Sequence, residues 1–257
     1  MSAHTLEKPP KSQKNPRRAN ILAAARALMR DSGDLKFSMR MLAERAGVSI
    51  ATPYNLFGSK QSILLAVLDA DLTEYQQALS ELRADEIEVL FEGVSLISAT
   101  LAREPDFYRN VLGTVIRDGP EFRFMVNGPR YLVWKRLLRQ ATQAGLLASH
   151  VDPDAFAIAS SQLIAANVME WAQGALTIQE MEARNEYGLA LTLLAIATER
   201  SRPVLEERLR RAEGTLQQHW RNMLMARLRR DELDQETREL LADQLKHLMN
   251  ERLEENP

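Results

Sequence analysis

Apolar residues recur along this chain at helical spacing, and no stretch shows the sustained alternation of a strand. Ile21, Leu22, Ala25, Leu28 and Met29 place one stripe of a helix against a core. Asn15-Pro16 opens that helix as a cap followed by proline at the first helical position, and Ser32-Gly33 closes it. The next stretch, Phe37 to Leu65, reads FSMRMLAERAGVSIATPYNLFGSKQSILL. Ser38 is placed to cap a short helix, with Phe37 stapled onto Leu42, and Gly47 suits the left-handed residue that ends it. Val48 is apolar inside the turn, as a plug between two crossing helices would be. Ser49 is then a cap for a second helix, Ile50 to Phe57, with Pro53 in its first turn, where a missing donor matters least. Tyr54 and Phe57 share a face, so one or both pack inward, while Ser49, Ile50, Ala51, Thr52 and Asn55 look outward. Ser59 caps a third pattern, Ile63, Leu64, Val67, Leu68, Leu72 and Tyr75. Two short helices joined by a glycine turn, with longer helices on either side, form the layout of a helix-turn-helix reader of the DNA major groove.

From Asp85 to Thr198 the pattern is helix after helix, punctuated by Pro105, Gly119-Pro120, Gly128-Pro129, Gly145 and Asp152-Pro153. Asp152-Pro153 starts a helix that runs to Gly174, and Thr177 with Glu180 makes a capping box for the next. Leu189 to Thr198 is apolar almost all round and requires burial on more than one side. Beyond Pro203, Leu205, Leu209, Ala212, Leu216, Trp220 and Met223 mark one helix. A break at Asp231 to Asp234 precedes a second, with Leu241, Leu245, Leu248 and Leu253. The predicted fold is all-α. A disordered basic arm spans residues 1–14, a DNA-binding domain 15–70, a ligand-binding and dimerisation domain 71–202, and a C-terminal helical hairpin 203–257.

Charge divides the chain in a way its total of -2 conceals. Residues 1–60 carry 11 Lys or Arg against 4 Asp or Glu, net +7, and the remainder 22 against 31, net -9. A basic module on an acidic body is the footprint of a nucleic-acid reader whose other part has another task. Cysteine is absent, which excludes disulfides and thiolate metal sites. No run approaches the roughly 18 apolar residues of a membrane span, and residues 1–18 have no signal-peptide core, so the chain reads as cytoplasmic.

Cations stand at three points where a helix dipole disfavours them. Arg17 and Arg18 fall in the first turn of the first helix, and Lys60 follows the Ser59 cap. Each position calls for an anion nearby, and a helix N-terminus with a lysine beside it is suited to phosphate.

Leu42-Ala43, Ala46-Gly47-Val48-Ser49, Tyr54, Phe57, Lys60 and Leu64, after a helix ending near Gly33, together resemble the tetracycline-repressor (TetR) family of bacterial regulators. The resemblance covers about the first quarter of the chain. It implies that Ser38, Thr52, Tyr54 and Lys60 hold phosphates, and that Arg40, Ser49, Ile50, Ala51 and Asn55 reach base edges. Ile50 and Ala51 depart from hydrogen-bonding readers, which leaves Arg40, Asn55 and apolar contact with thymine methyls to recognise bases. The resemblance also implies a homodimer in which Asp154 to Gly174 and Tyr187 to Arg200 form a four-helix bundle with their copies.

The four histidines, His4, His150, His219 and His247, show no metal-ligand spacing, and phosphate-binding and nucleophile-elbow motifs are absent. The chain therefore reads as a non-enzyme with no metal or cofactor. An apolar cavity between body helices is the expected effector site, with Phe107, Tyr108, Met125, Tyr131, Trp134, Gln162, Asn167 and Trp171 as its candidates. The function expected is a transcriptional regulator, a repressor bound as a dimer to palindromic double-stranded DNA and released by a small apolar or amphipathic molecule. The alternative is control by a protein partner docked on residues 203–257, a hairpin that otherwise folds back on the body or on the mate.

Overall fold

A computed structural model of the chain describes residues 16–31, 37–117, 120–229 and 234–254, with the side chains of 115–127 and 247–254 outside the description. The described residues form α1 (Pro16–Asp31), α2 (Met39–Arg45), α3 (Ala51–Phe57), α4 (Lys60–Glu81), α5 (Glu86–Arg103), α6 (Pro105–Arg117), α7 (Pro120–Gln143), α8 (Pro153–Ala172), α9 (Ile178–Leu194), α10 (Arg202–Leu228) and α11 (Gln235–Glu254). Their β pairing is limited to an isolated bridge between Leu147 and Ala197. The all-α expectation holds. Two compact units result, residues 1–74 with 104–126 and residues 75–103 with 127–257.

In the first unit Ile21, Ala25 and Met29 of α1 are fully buried, and α1 packs on α2 and α6. Ser38 caps α2 as expected, accepting the Met41 N–H at 3.1 Å, and Gly47 takes a φ of 65°. The start of α3 differs from expectation. Ile50 already has helical angles, so the Thr52 N–H bonds the Ser49 carbonyl, and the Ser49 hydroxyl pairs with that of Thr52 at 3.0 Å instead of capping. Ser59 does cap α4, accepting the Ser62 N–H at 3.1 Å.

The same unit holds a part-buried charge network. Arg26 of α1 ion-pairs with Asp71 of α4 at 2.6 Å, donates to Glu104 at 2.7 Å and to the Tyr108 hydroxyl at 3.1 Å, and lies 4.5 Å from the Phe107 ring centroid. Tyr108 in turn donates to Asp71 at 2.9 Å. Burial of Arg26 opposes its charge, but the Tyr108 hydrogen bond, Asp71 and Glu104 outweigh it and raise its pKa.

The second unit is arranged around α9, which packs on α5, α8 and α10. Asp152 caps α8 and the Thr177–Glu180 capping box opens α9, both as expected. Leucine 163 stands within 2.7 Å of where a Gly188 Cβ would be, so this glycine lets α8 and α9 approach closely. Two expected boundaries move. Gly128-Pro129 does not divide α7, which runs through Pro129. The second helix of the proposed pair is Ile178–Leu194 rather than Tyr187 to Arg200. Its chain leaves the helix because the Ile196 carbonyl accepts from the Ala148 N–H at 2.8 Å, and the Thr198 N–H bonds the Leu146 carbonyl at 3.3 Å.

The C-terminal extension forms the expected hairpin, α10 and α11. Helix α10 folds back on its own body: Leu205 and Ala212 are buried, and Arg208 reaches Glu88 of α5, Glu186 of α9 at 3.7 Å, and the face of Phe91 at 4.5 Å. Asp234 caps α11 by accepting the Thr237 N–H at 2.8 Å, and Leu241 of that helix is buried. The break at Asp231 to Asp234 lies almost wholly outside the described residues, as does the arm 1–14.

Candidate nucleic-acid interface

On α3, Pro53 is buried and Leu56 and Phe57 are half-buried, which turns Ala51, Tyr54 and Asn55 to solvent at spacings of three and four. Ile50 is 52% exposed and Tyr54 51%, large apolar areas for a folded surface. Phe57 is thus the aromatic that packs inward. Ser38, Arg40 and Ser49 are exposed, and Thr52 and Lys60 half-buried. None of the residues picked from the sequence is lost to the core. Ser38 and Ser59 accept backbone N–H groups at the starts of α2 and α4; the Ser38 hydroxyl keeps its proton to donate, while the Ser59 hydroxyl also pairs with that of Ser62 at 2.9 Å. Arg40 pairs with Glu44 at 3.0 Å with both side chains largely in water, a bond a phosphate or base can replace at small loss. Lys60 Nζ lies 4.5 Å from the Phe37 ring centroid, so its stem is directed by the ring beneath it.

Two α1 side chains hold this surface in place, and the sequence pattern did not assign them that task. Arg18 was expected to need an anion. Its guanidinium instead lies 4.3 Å over the Phe57 ring and donates to the Leu56 carbonyl at 3.4 Å, at the negative end of α3. Asn20 donates to the Ala46 carbonyl at 2.8 Å, at the end of α2. No pattern in the sequence signals either bond, because the acceptors lie 38 and 26 residues away in the chain.

The candidate effector residues divide between the units. Phe107 and Tyr108 belong to the first, buried edge to face at 5.0 Å and engaged with Arg26. Burial first, then the Asp71 charge, pushes the Tyr108 phenol up to about 12. In the second unit Trp134 and Trp171 are buried, Tyr131 is half-buried and Gln162 is exposed. Asn167 donates to Asn185 at 2.8 Å, and the Asn185 Nδ2 and Ser160 Oγ are buried with no partner among the described residues. Met125 lies outside the described side chains. One small cleft, about 10 Å³ and lined by residues such as Leu138, Val151 and Phe156, includes none of these candidates. Among the described residues no three potential metal ligands cluster, and no helix is long and apolar enough to cross a membrane.

Residues 21–67 match the family model described as bacterial regulatory proteins, tetR family. No curated protein matches by sequence. Among solved structures, SmeT, the repressor of the Stenotrophomonas maltophilia multidrug efflux pump SmeDEF, superposes with a TM-score of 0.55 at 20% identity, over 71% of this chain and 91% of its own. Thermus thermophilus FadR, a TetR-family repressor in complex with lauroyl-CoA, gives 0.59 at 20% identity over 71% and 96%. The R. erythropolis repressor QsdR gives 0.51 at 18% over 73% and 98%. The chain thus joins a helix-turn-helix head that matches the tetR family model to a body that shares the fold of these solved regulators.

Proposed function

We propose that this chain is a transcriptional repressor that binds a palindromic operator as a homodimer and is released by a small apolar or amphipathic effector. The observation that carries the DNA-binding part is the outward row Arg40, Ile50, Ala51, Tyr54 and Asn55, flanked by the Ser38 and Ser59–Lys60 helix starts on the basic part of the chain. Lys60, Ser38, Thr52 and Tyr54 take phosphates, and Arg40 and Asn55 read base edges beside apolar contacts from Ile50 and Ala51.

Dimerisation is supported by a strip of exposed small and apolar residues, Ala155, Ile158, Ala159 and Ala166 on α8 with Leu191 on α9 and Ala195 at its C-cap. A pair of heads set about one helical turn apart reads two half-sites. Effector control is supported by the buried, incompletely bonded Asn185 and Ser160, polar groups that a ligand's polar end would satisfy. Lauroyl-CoA, the amphipathic ligand of the Thermus neighbour, is of the class proposed here. An effector releases DNA only by binding the non-operator arrangement more tightly. The reading in which a protein partner docks on the extension draws on exposed Trp220 and Leu240, at 42% and 60%.

The test compares two kinds of variant. Lys60→Ala weakens all duplexes alike and lowers the slope of log affinity against log salt by about one contact. Arg40→Ala or Asn55→Ala relaxes preference at particular base pairs, each by about 1–3 kcal/mol. Normal binding by Lys60→Ala at every salt concentration would overturn the phosphate assignment.

A further inference from the structure

We infer that Arg18 and Asn20 of α1 are positioning residues that set the angle of the recognition helix, and that Arg18 is not a phosphate ligand. This rests on the DNA-binding reading above for its functional consequence, though not for its structural one. Helix α3 has seven residues, too few to persist alone, and only Pro53 of them is buried. Its orientation therefore depends on a few contacts at its ends.

At its C-terminal end the Gly58 N–H bonds Tyr54 and the Ser59 N–H bonds Phe57, while the Leu56 carbonyl receives Arg18. The last carbonyls of a helix lack intrahelical donors and carry its negative dipole end, so a guanidinium there relieves both. The guanidinium carbon of Arg18 lies 4.3 Å over the Phe57 ring, a second contact that holds the group beside its hydrogen bond. Asn20 does the same for the preceding helix. It holds the Ala46 carbonyl at 2.8 Å, next to Gly47 with its φ of 65°, where the chain turns toward α3. One helix outside the reading surface thus clamps the ends of both helices that make it. Both residues lie N-terminal to the segment, residues 21–67, that matches the family model.

A phosphate ligand and a positioning residue respond differently to substitution in the full chain. Arg18→Met removes charge and plane but keeps the stem; Arg18→Lys keeps the charge and loses the plane, and serves also if the methionine variant folds poorly. Hydrogen exchange of the free protein gives the first readout: both variants, and Asn20→Ala for the α2–α3 turn, speed exchange in residues 46–58 about fivefold or more while α4 stays protected. The second is binding to random-sequence duplex and to sites selected from random DNA. The salt slope is unchanged in both Arg18 variants, and the preference for selected sites falls about tenfold, the worth of one base contact. A slope reduced by about one contact in Arg18→Met and restored in Arg18→Lys, with exchange in α3 unaltered, overturns the inference. Faster exchange in a chain that binds no duplex at low salt would uphold the positioning role and sink the DNA-binding reading instead.

Discussion

Tyr108 illustrates how a single side chain ties protonation to the fold of the first unit. Its phenol is held at about 12 by burial and by the carboxylate of Asp71, above its unfolded value near 10. The folded state therefore resists ionisation. The stability this group contributes is complete below about pH 10 and is lost as pH rises through 12. The difference between alkaline absorbance titrations of the native protein and Tyr108→Phe should be one phenolate titrating near pH 12; a difference centred at the ordinary tyrosine value would contradict the burial. At this scale legibility followed sequence distance. Ser38, Gly47 and Ser59 act within a few residues of themselves, so cap and turn grammar found them. Arg26 bonds groups 45, 78 and 82 residues away, and its network was invisible in the sequence. Phe107 and Tyr108, read from the sequence as effector-site candidates, are both engaged with Arg26 in that network.

At the scale of elements, close approach decides which helices can move apart. Tyr75 of α4 donates to the Gly93 carbonyl of α5 at 3.1 Å, and a Cβ at Gly93 would stand 2.9 Å from that hydroxyl. Alanine in mid-helix gains about 1 kcal/mol in propensity, but displacing a buried phenol from its acceptor loses about 1–3 kcal/mol. Gly93→Ala is therefore expected to lower the urea midpoint despite its better helix propensity, and an unchanged or raised midpoint would show that Tyr75 has room to yield. Helix starts were legible because Asp152, Thr177 and Ser59 announce them locally. Helix ends were less so. Leu189 to Thr198 looks helical throughout, yet α9 stops at Leu194 because the Leu146–Ala148 loop claims the backbone groups that follow. Gly128-Pro129 looks like a break, yet α7 continues through it.

In the molecule as a whole, the extension bears on how control of the chain is tested. Leu205, Ala212 and Arg208 place α10 in the packing of α5 and α9. Removing residues 203–257 would expose that apolar and acidic face, so a loss of effector response in such a truncation would report unfolding as readily as a missing partner. Thermal unfolding should show a loss of well over 5 °C for that truncation and a much smaller one for a chain ending at Arg229, which keeps α10; about 1 kcal/mol shifts a domain of this size by roughly 2–4 °C. Equal losses would place the stabilising contacts in α11 instead. The charge division, net +7 before residue 61 and net -9 after it, fits a chain in which only the first part meets an anionic partner.

Selection of bound sites from random duplex DNA by the intact protein tests the central claim most directly, because head and dimer must both be right for it to succeed. The expected result is a motif of two inverted half-sites about one helical turn apart, lost as salt is raised. No enrichment at low salt, or a single half-site without symmetry, would contradict it.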